Sequence, residues 1–185
     1  NFWAGGYHLF LPQIDWGGAG PGYVESEFPG YPFLVALLYR VTGGEHVWVG
    51  KLVSLAFTAG TLAAFWGLAR RVVSRRPALV ALASFALSPI ALRYGTAFMP
   101  EATVLCFTVL ALLLFVRWLD EDRLVLLLGT GVAVALALLS KPTAVQVGGV
   151  LAVLLVHGRG WRALADLRVW ATAALAVLPA TFWTL

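Results

Sequence analysis

Residues 124–156 read LVLLLGTGVAVALALLSKPTAVQVGGVLAVLLV, and a single Lys141-Pro142 pair interrupts two uncharged runs. Neither run carries the polar stripe of a helix on a soluble protein's surface. Each is close to the roughly 17–25 residues that cross a bilayer, at the short end of that range. The Lys-Pro pair therefore reads as a turn between two membrane spans. The same pattern continues outward on both sides, with apolar runs at 52–69, 77–92, 102–116 and 169–185. Six short spans fit better than three long ones, because charges or Lys-Pro punctuate every join. Mean hydropathy of +0.86 and 61% hydrophobic residues exceed what a soluble domain of 185 residues tolerates. The expected fold class is an all-α polytopic transmembrane helical bundle with about six spans, near 48–70, 77–92, 99–118, 124–140, 142–157 and 168–185.

The charges between these runs fall into two sets. Arg70, Arg71, Arg75, Arg76, Arg117, Arg123, Arg159, Arg162 and Arg168 occupy alternate gaps, with Asp120, Glu121, Asp122 and Asp166. Arg40, Lys51, Arg93 and Lys141 share the remaining gaps with Asp15, Glu25, Glu27, Glu45 and Glu101. The positive-inside rule puts the first set in the cytoplasm and the second across the membrane. The formal charge of +4 is then topological. It suggests contact with anionic lipid headgroups and gives no reason to expect nucleic acid. The mixed outer set has no topological reason to exist, which makes it a candidate site. A lone Cys106 allows no intrachain disulfide. Eleven Arg against two Lys suggest a high-GC bacterial genome, and hence a bacterial inner (plasma) membrane with the site facing the periplasm or exterior.

Residues 1–47 form the only long polar segment, rich in Gly, Pro and aromatics. A loop this long is usually functional or disordered, and its aromatic content argues against disorder. It is read as an extracytoplasmic loop. Within it, 32–42 is apolar but too short to span, and is expected as an interfacial helix ending near Gly43 and Gly44. The chain lacks an initiator Met and closes on an apolar run, so it is expected to be an internal piece of a larger protein.

Several outer residues carry chemistry. Glu25 and Glu27 lie two apart, and in an extended segment they share one face. They could act as a base, position a sugar hydroxyl or hold a divalent cation; on the motif alone a solvated acidic loop reads better, since exposed Glu is common. Glu101 follows Pro100 at the first turn of a span. There a carboxylate gains about 0.3–1 kcal/mol from the helix dipole, or serves as an ionisable group at the rim of a cavity. Arg93 and Lys141 end outward-going spans and Lys51 begins an inward one. Each could snorkel to headgroups, while together they suit a phosphate held at the interface. Phosphate-loop, nucleophile-elbow and His/Cys metal spacings are absent from the sequence.

The string Glu27-Phe28-Pro29-Gly30-Tyr31-Pro32-Phe33-Leu34, then Gly44 and Val49-Gly50-Lys51-Leu52-Val53-Ser54, resembles the first outer loop and second span of GT-C membrane glycosyltransferases. The likeness is to the protein O-mannosyltransferase and lipid A aminoarabinose transferase group. Arg93-Tyr94-Gly95-Thr96-Ala97-Phe98-Met99-Pro100-Glu101 and Ser140-Lys141-Pro142-Thr143 look like two further segments of that group. The resemblance implies transfer of a sugar from a polyprenyl-phosphate carrier to a lipid, protein or glycan acceptor on the outer side. It implies catalytic roles for Glu27 and Glu101, a divalent metal on Glu27, and carrier-phosphate contacts from Lys51, Arg93 and Lys141. Glu25 and Tyr31 would be acceptor or sugar contacts, and the principal catalytic Asp is expected upstream of Asn1, so that this piece alone is expected to be inactive. Two other readings stand beside this one: a secondary transporter, whose ion-binding groups belong near the bilayer midplane on broken helices, and a non-catalytic membrane assembly subunit.

Overall fold

The computed structural model describes residues 28–184, and these contain eight α-helices, two 3-10 turns and no strand. The helices are α1 (Gly30–Thr42), α2 (Val47–Val72), α3 (Arg75–Ala86), α4 (Pro89–Gly95), α5 (Glu101–Glu121), α6 (Leu124–Ser140), α7 (Gln146–Arg159) and α8 (Leu167–Thr184). The all-α class expected from the sequence is the class observed.

Helix α1 ends at a glycine. Gly43 takes the left-handed conformation at φ 76°, and its N–H bonds back to the Tyr39 carbonyl. Only a residue without a Cβ adopts that geometry at little cost. One face of α1, carrying Tyr31, Val35 and Tyr39, is buried against Val49 and Val53 of α2.

The run expected as one span at 77–92 is instead broken. α3 ends at Ala86, α4 begins at Pro89, and the two axes bend by 60°. Ser88 explains the break. The residue before a proline is pushed out of the helical region, and Ser88 sits at ψ 140°. Its hydroxyl then accepts the Ala91 N–H at 3.2 Å, capping a new helix with Pro89 at its first position.

α5 is the central helix, packed against α2 on one side and α6 on the other, with α8 covering α6. α2 and α5 run parallel: Ser54 meets Met99 near their starts, and Arg71 reaches Asp120 at their ends. α6 returns, bringing Lys141 back to Glu101, and α7 descends again to place Arg159 on Asp122. Glu101 and Lys141 thus lie at one end of the bundle, and Arg71, Asp120, Asp122 and Arg159 at the other. Small residues allow the close approach. Ala111, Ala133, Ala137 and Ala176 share one core cluster. A Cβ on Gly131 would come within 2.8 Å of Thr172 Cγ2 and 3.1 Å of its carbonyl oxygen. Helices in lipid pack through such positions because lipid tails offer no hydrophobic drive between them.

The outer surface is apolar, with Val80, Leu87, Ile90 and Phe182 all more than two-thirds exposed. Surfaces of this kind belong in hydrocarbon, and the chain is a multi-pass membrane protein. By length and composition α2 and α5 can each cross a bilayer; α3 with α4 passes only as a bent pair, and α6 and α8 are shorter apolar helices. The run expected at 142–157 opens with a 3-10 turn, Pro142–Val145. That leaves α7 with 14 residues, about 21 Å of helix at 1.5 Å per residue.

Candidate active site

Glu101 and Lys141 are 40 positions apart in the chain, and the fold joins them. Pro100 caps α5, so Glu101 stands in its first turn. Lys141 follows α6, in extended backbone before Pro142. The Lys141 ammonium donates to Glu101 Oε1 at 3.2 Å, and both side chains are about one-third exposed or less. The second carboxylate oxygen, Oε2, is buried and has no hydrogen-bond partner among the described residues. A buried acceptor left unpaired is costly. Here it belongs to a residue that lines a pocket of about 410 Å³, between α2, the broken α3–α4 pair and α5.

The pocket has two kinds of wall. Phe85, Ile90, Ala91, Ala102 and Leu105 are apolar, while Thr58, Thr61, Ser88, Tyr94, Glu101 and Lys141 supply polar atoms. The break at Leu87 and Ser88 helps to form it, because the bend carries α4 back over α2. Gly95 at the end of α4 lies directly on Thr58, whose hydroxyl donates to the Gly95 carbonyl at 2.8 Å. A Cβ there would stand 2.8 Å from that hydroxyl oxygen.

A second polar group lies beside this one. The Tyr31 hydroxyl donates to the Gly50 carbonyl at 2.8 Å and lies 2.8 Å from Ser54 Oγ. Ser54 Oγ is also 3.4 Å from the Met99 carbonyl, two residues before Glu101. The Tyr31 ring tilts against Phe98, with centroids 6.0 Å apart. Burial pushes the Tyr31 phenol above its ordinary pKa; the Ser54 hydrogen bond lowers it, and the charges of Tyr39 and Glu101 add to the rise.

Of the residues read from the sequence, the fold brings Glu101 and Lys141 together and puts Tyr31 next to them. Tyr31 is 6% exposed with its hydroxyl engaged by the protein. Lys51 and Arg93 are exposed and do not line the pocket. Lys51 is exposed on α2, about 200° around the helix from the buried Val53. Arg93 has its guanidinium 5.8 Å from the centroid of the Tyr94 ring. Neither makes an ion pair among the described residues. Glu25 and Glu27 lie outside the described residues, and with them the metal expected on Glu27. Among the described residues no group of three or more His, Cys, Asp or Glu side chains could hold a metal. Sequence reasoning missed Ser54, Thr58, Ser88 and Tyr94. Only Ser88 carried a signal, as a serine just before a proline inside an apolar run.

An all-α membrane bundle with one ion-paired polar pocket, walled on its other sides by apolar residues, defines the class: a membrane protein with a site at one end of its helices. Residues 26–183 match the dolichyl-phosphate-mannose-protein mannosyltransferase family. The chain belongs to that family, and is a membrane glycosyltransferase of the GT-C type. No curated protein and no solved structure matches it.

Proposed function

We propose that this protein transfers a sugar from a polyprenyl-phosphate carrier to a hydroxyl of a lipid, protein or glycan on the outer face of a bacterial inner membrane. The observation that carries the reading is the ion pair of Glu101 and Lys141, two residues that line a pocket, with the buried Oε2 unpartnered among the described residues. A lipid-borne donor keeps its tail in the bilayer, so its reacting end must be met where helices end. Both residues of the pair stand at helix ends.

The roles follow from charge. In the transfer, the acceptor oxygen forms a bond to the anomeric carbon and the bond from that carbon to the phosphate oxygen breaks. The carrier phosphate leaves with the electron pair, and its growing negative charge needs fixed cations. Lys141 is one such cation: an ammonium has three donors, and Glu101 occupies one. Arg93 and Lys51, on the same end, are the further cations of this reading. The proton of the acceptor hydroxyl goes to a carboxylate. Glu27 and Glu101 are the candidates, and of the two Glu101 lies within the described residues and lines the pocket.

The broken α3–α4 pair is the one feature that favours a transporter, yet its break at Leu87 and Ser88 carries no ionisable side chain. The test uses membranes containing the full-length protein, with lipid-linked sugars extracted from the native cells as donor. Alanine variants at Glu27, Glu101 and Lys141 should each depress sugar transfer. Undiminished transfer in all three would reject the assignment.

A further inference from the structure

At the arginine-rich end the carboxylates are fewer than the guanidinia. Asp120 pairs with Arg71, Glu121 with Arg71, Arg117 and Arg123, Asp122 with Arg159, and Asp166 with Arg168. Arg70, Arg75, Arg76 and Arg162 make no ion pair among the described residues, and all four are exposed. Three of them lie within seven residues, on the turn that joins α2 to α3. Arg70 has its guanidinium 5.8 Å from the centroid of the Trp66 ring, one turn back along α2. Every residue from Arg70 to Pro77 is exposed, the apolar Val72 and Val73 among them. Arg162 stands in the 3-10 turn Trp161–Ala165, just after Arg159 has tied α7 to Asp122 at the same end. Ala163 and Leu164 of that turn pack against the core cluster of Trp118 and Leu155. Around them Trp161 is 76% exposed and Trp170 61%, although the Trp170 indole N–H donates to the Leu164 carbonyl at 2.7 Å.

Free guanidinia interleaved with exposed tryptophan and valine suit one environment. Water disfavours the apolar side chains, and hydrocarbon disfavours the arginines. The headgroup layer of a bilayer accepts both, since indole rings settle there and arginines reach to it. A guanidinium also presents a planar fork of donors that matches the oxygens of a phosphate. An acidic protein would match the charge but leave the lipid-like exposure of Val72, Trp161 and Trp170 without a reason. We propose that the α2–α3 turn, through Arg70, Arg75 and Arg76, holds the phosphate of an anionic phospholipid in the leaflet at this end. The 161–170 segment sits in the same headgroup layer through Trp161, Arg162 and Trp170. Net charge alone implies a diffuse attraction spread over every arginine; the ion pairs single out the few that are free to make it. The site lies at the opposite end of the bundle from Glu101 and Lys141, and it does not depend on the reaction assigned there.

The test measures the affinity of the full-length protein, in a neutral detergent, for phosphatidylglycerol relative to phosphatidylcholine, by native mass spectrometry. The native protein should prefer the anionic lipid. A basic residue near an anionic surface is worth about fivefold in affinity, so Arg70→Gln/Arg75→Gln/Arg76→Gln should cut that preference by about 10- to 100-fold. Lysine at the same three positions keeps the charge and should keep most of the preference. Arg117→Gln removes the same charge as Arg76→Gln, but from a guanidinium already held by Glu121. It should leave the preference unchanged where Arg76→Gln lowers it. Inorganic phosphate should compete no better than chloride at equal ionic strength, because it lacks the chains that anchor a headgroup in the layer. Equal affinity for the two lipids, an undiminished preference in the glutamine triple variant, or an equal loss in Arg117→Gln would each overturn the proposal. So would a loss in the lysine variant as large as in the glutamine one, which would mark a structural role, or displacement of the lipid by phosphate. A triple variant that keeps the lipid preference but sheds an acidic protein held by the native form would assign the patch to that protein instead.

Discussion

The two ends of the bundle treat charge in opposite ways. At the arginine-rich end, Asp120, Glu121 and Asp122 each meet a guanidinium, from Arg71, Arg117 or Arg159. Arg159 also donates to the Trp118 carbonyl at 2.9 Å and lies 4.0 Å from the centroid of the Trp118 ring. That one side chain ties α7 to the end of α5, where helix carbonyls lack partners and a cation is favoured. At the other end Glu101 meets Lys141, one oxygen of that carboxylate has no partner among the described residues, and a pocket adjoins the pair. Satisfied charges fasten helices together. An unsatisfied one, kept beside a cavity, is what a site for an incoming polar group requires. The first end is built for fastening and the second for chemistry.

Substitutions should separate the ends cleanly. The largest effect is expected from Lys141→Met, which strands the Glu101 carboxylate and removes a cation from the reacting end. Sugar transfer should fall by about 100- to 1,000-fold, the scale on which losing one preorganised electrostatic group acts; a transfer assay in membranes measures it. Next comes Gly95→Ala. Its new Cβ meets the Thr58 hydroxyl, a stiff β-branched side chain on a packed helix. Thermal unfolding should show a loss of about 1–3 kcal/mol, and transfer should drop with the shifted pocket wall.

At the fastening end, Arg159→Ala should lower stability by about 1–2 kcal/mol through lost hydrogen bonds and the lost ring contact, while transfer per folded molecule stays unchanged. A rate loss there larger than the stability loss would erase the distinction between the ends. The smallest effect concerns pH. The hydrogen bond from Arg159, aided by its charge, holds the Asp122 carboxyl below the ordinary aspartate range. A group with a depressed folded pKa adds stability above its unfolded pKa and loses it as pH falls through the folded value. The Tm gap between the native protein and Asp122→Asn should therefore persist through mild acid and close only below the ordinary aspartate range. It should be small, because the carboxylate is exposed.

The sequence exposed this division unevenly. Sorting of the charges into two sets was readable from the gaps between apolar runs, because the cost of charge in hydrocarbon leaves few other places for it. Helix α1 and its stop at Gly43 were readable for a local reason, the left-handed turn that glycine supplies. That Glu101 and Lys141 belong to one end followed from each standing at a span end. The facing of Lys51 and Arg93 was not readable. In a helix apolar nearly all round, hydropathy does not distinguish the lipid side from the packed side. Nor was the contact of Tyr31 with Ser54, which depends on how α1 docks onto α2. The bend at Ser88 was announced locally by Ser-Pro, but the length of the apolar run around it argued for a single span.

The most direct test of the central contrast replaces Glu101 by glutamine and measures sugar transfer and Tm on the same membrane preparation. The shape of the side chain is kept and its charge removed. If this end serves chemistry, transfer falls by about 100-fold or more while Tm changes little, since the side chain keeps its shape and the ion pair lost is partly exposed. Transfer at the native rate with a lowered Tm would mean that the ion pair of Glu101 and Lys141 is one more fastening, and the account would be wrong.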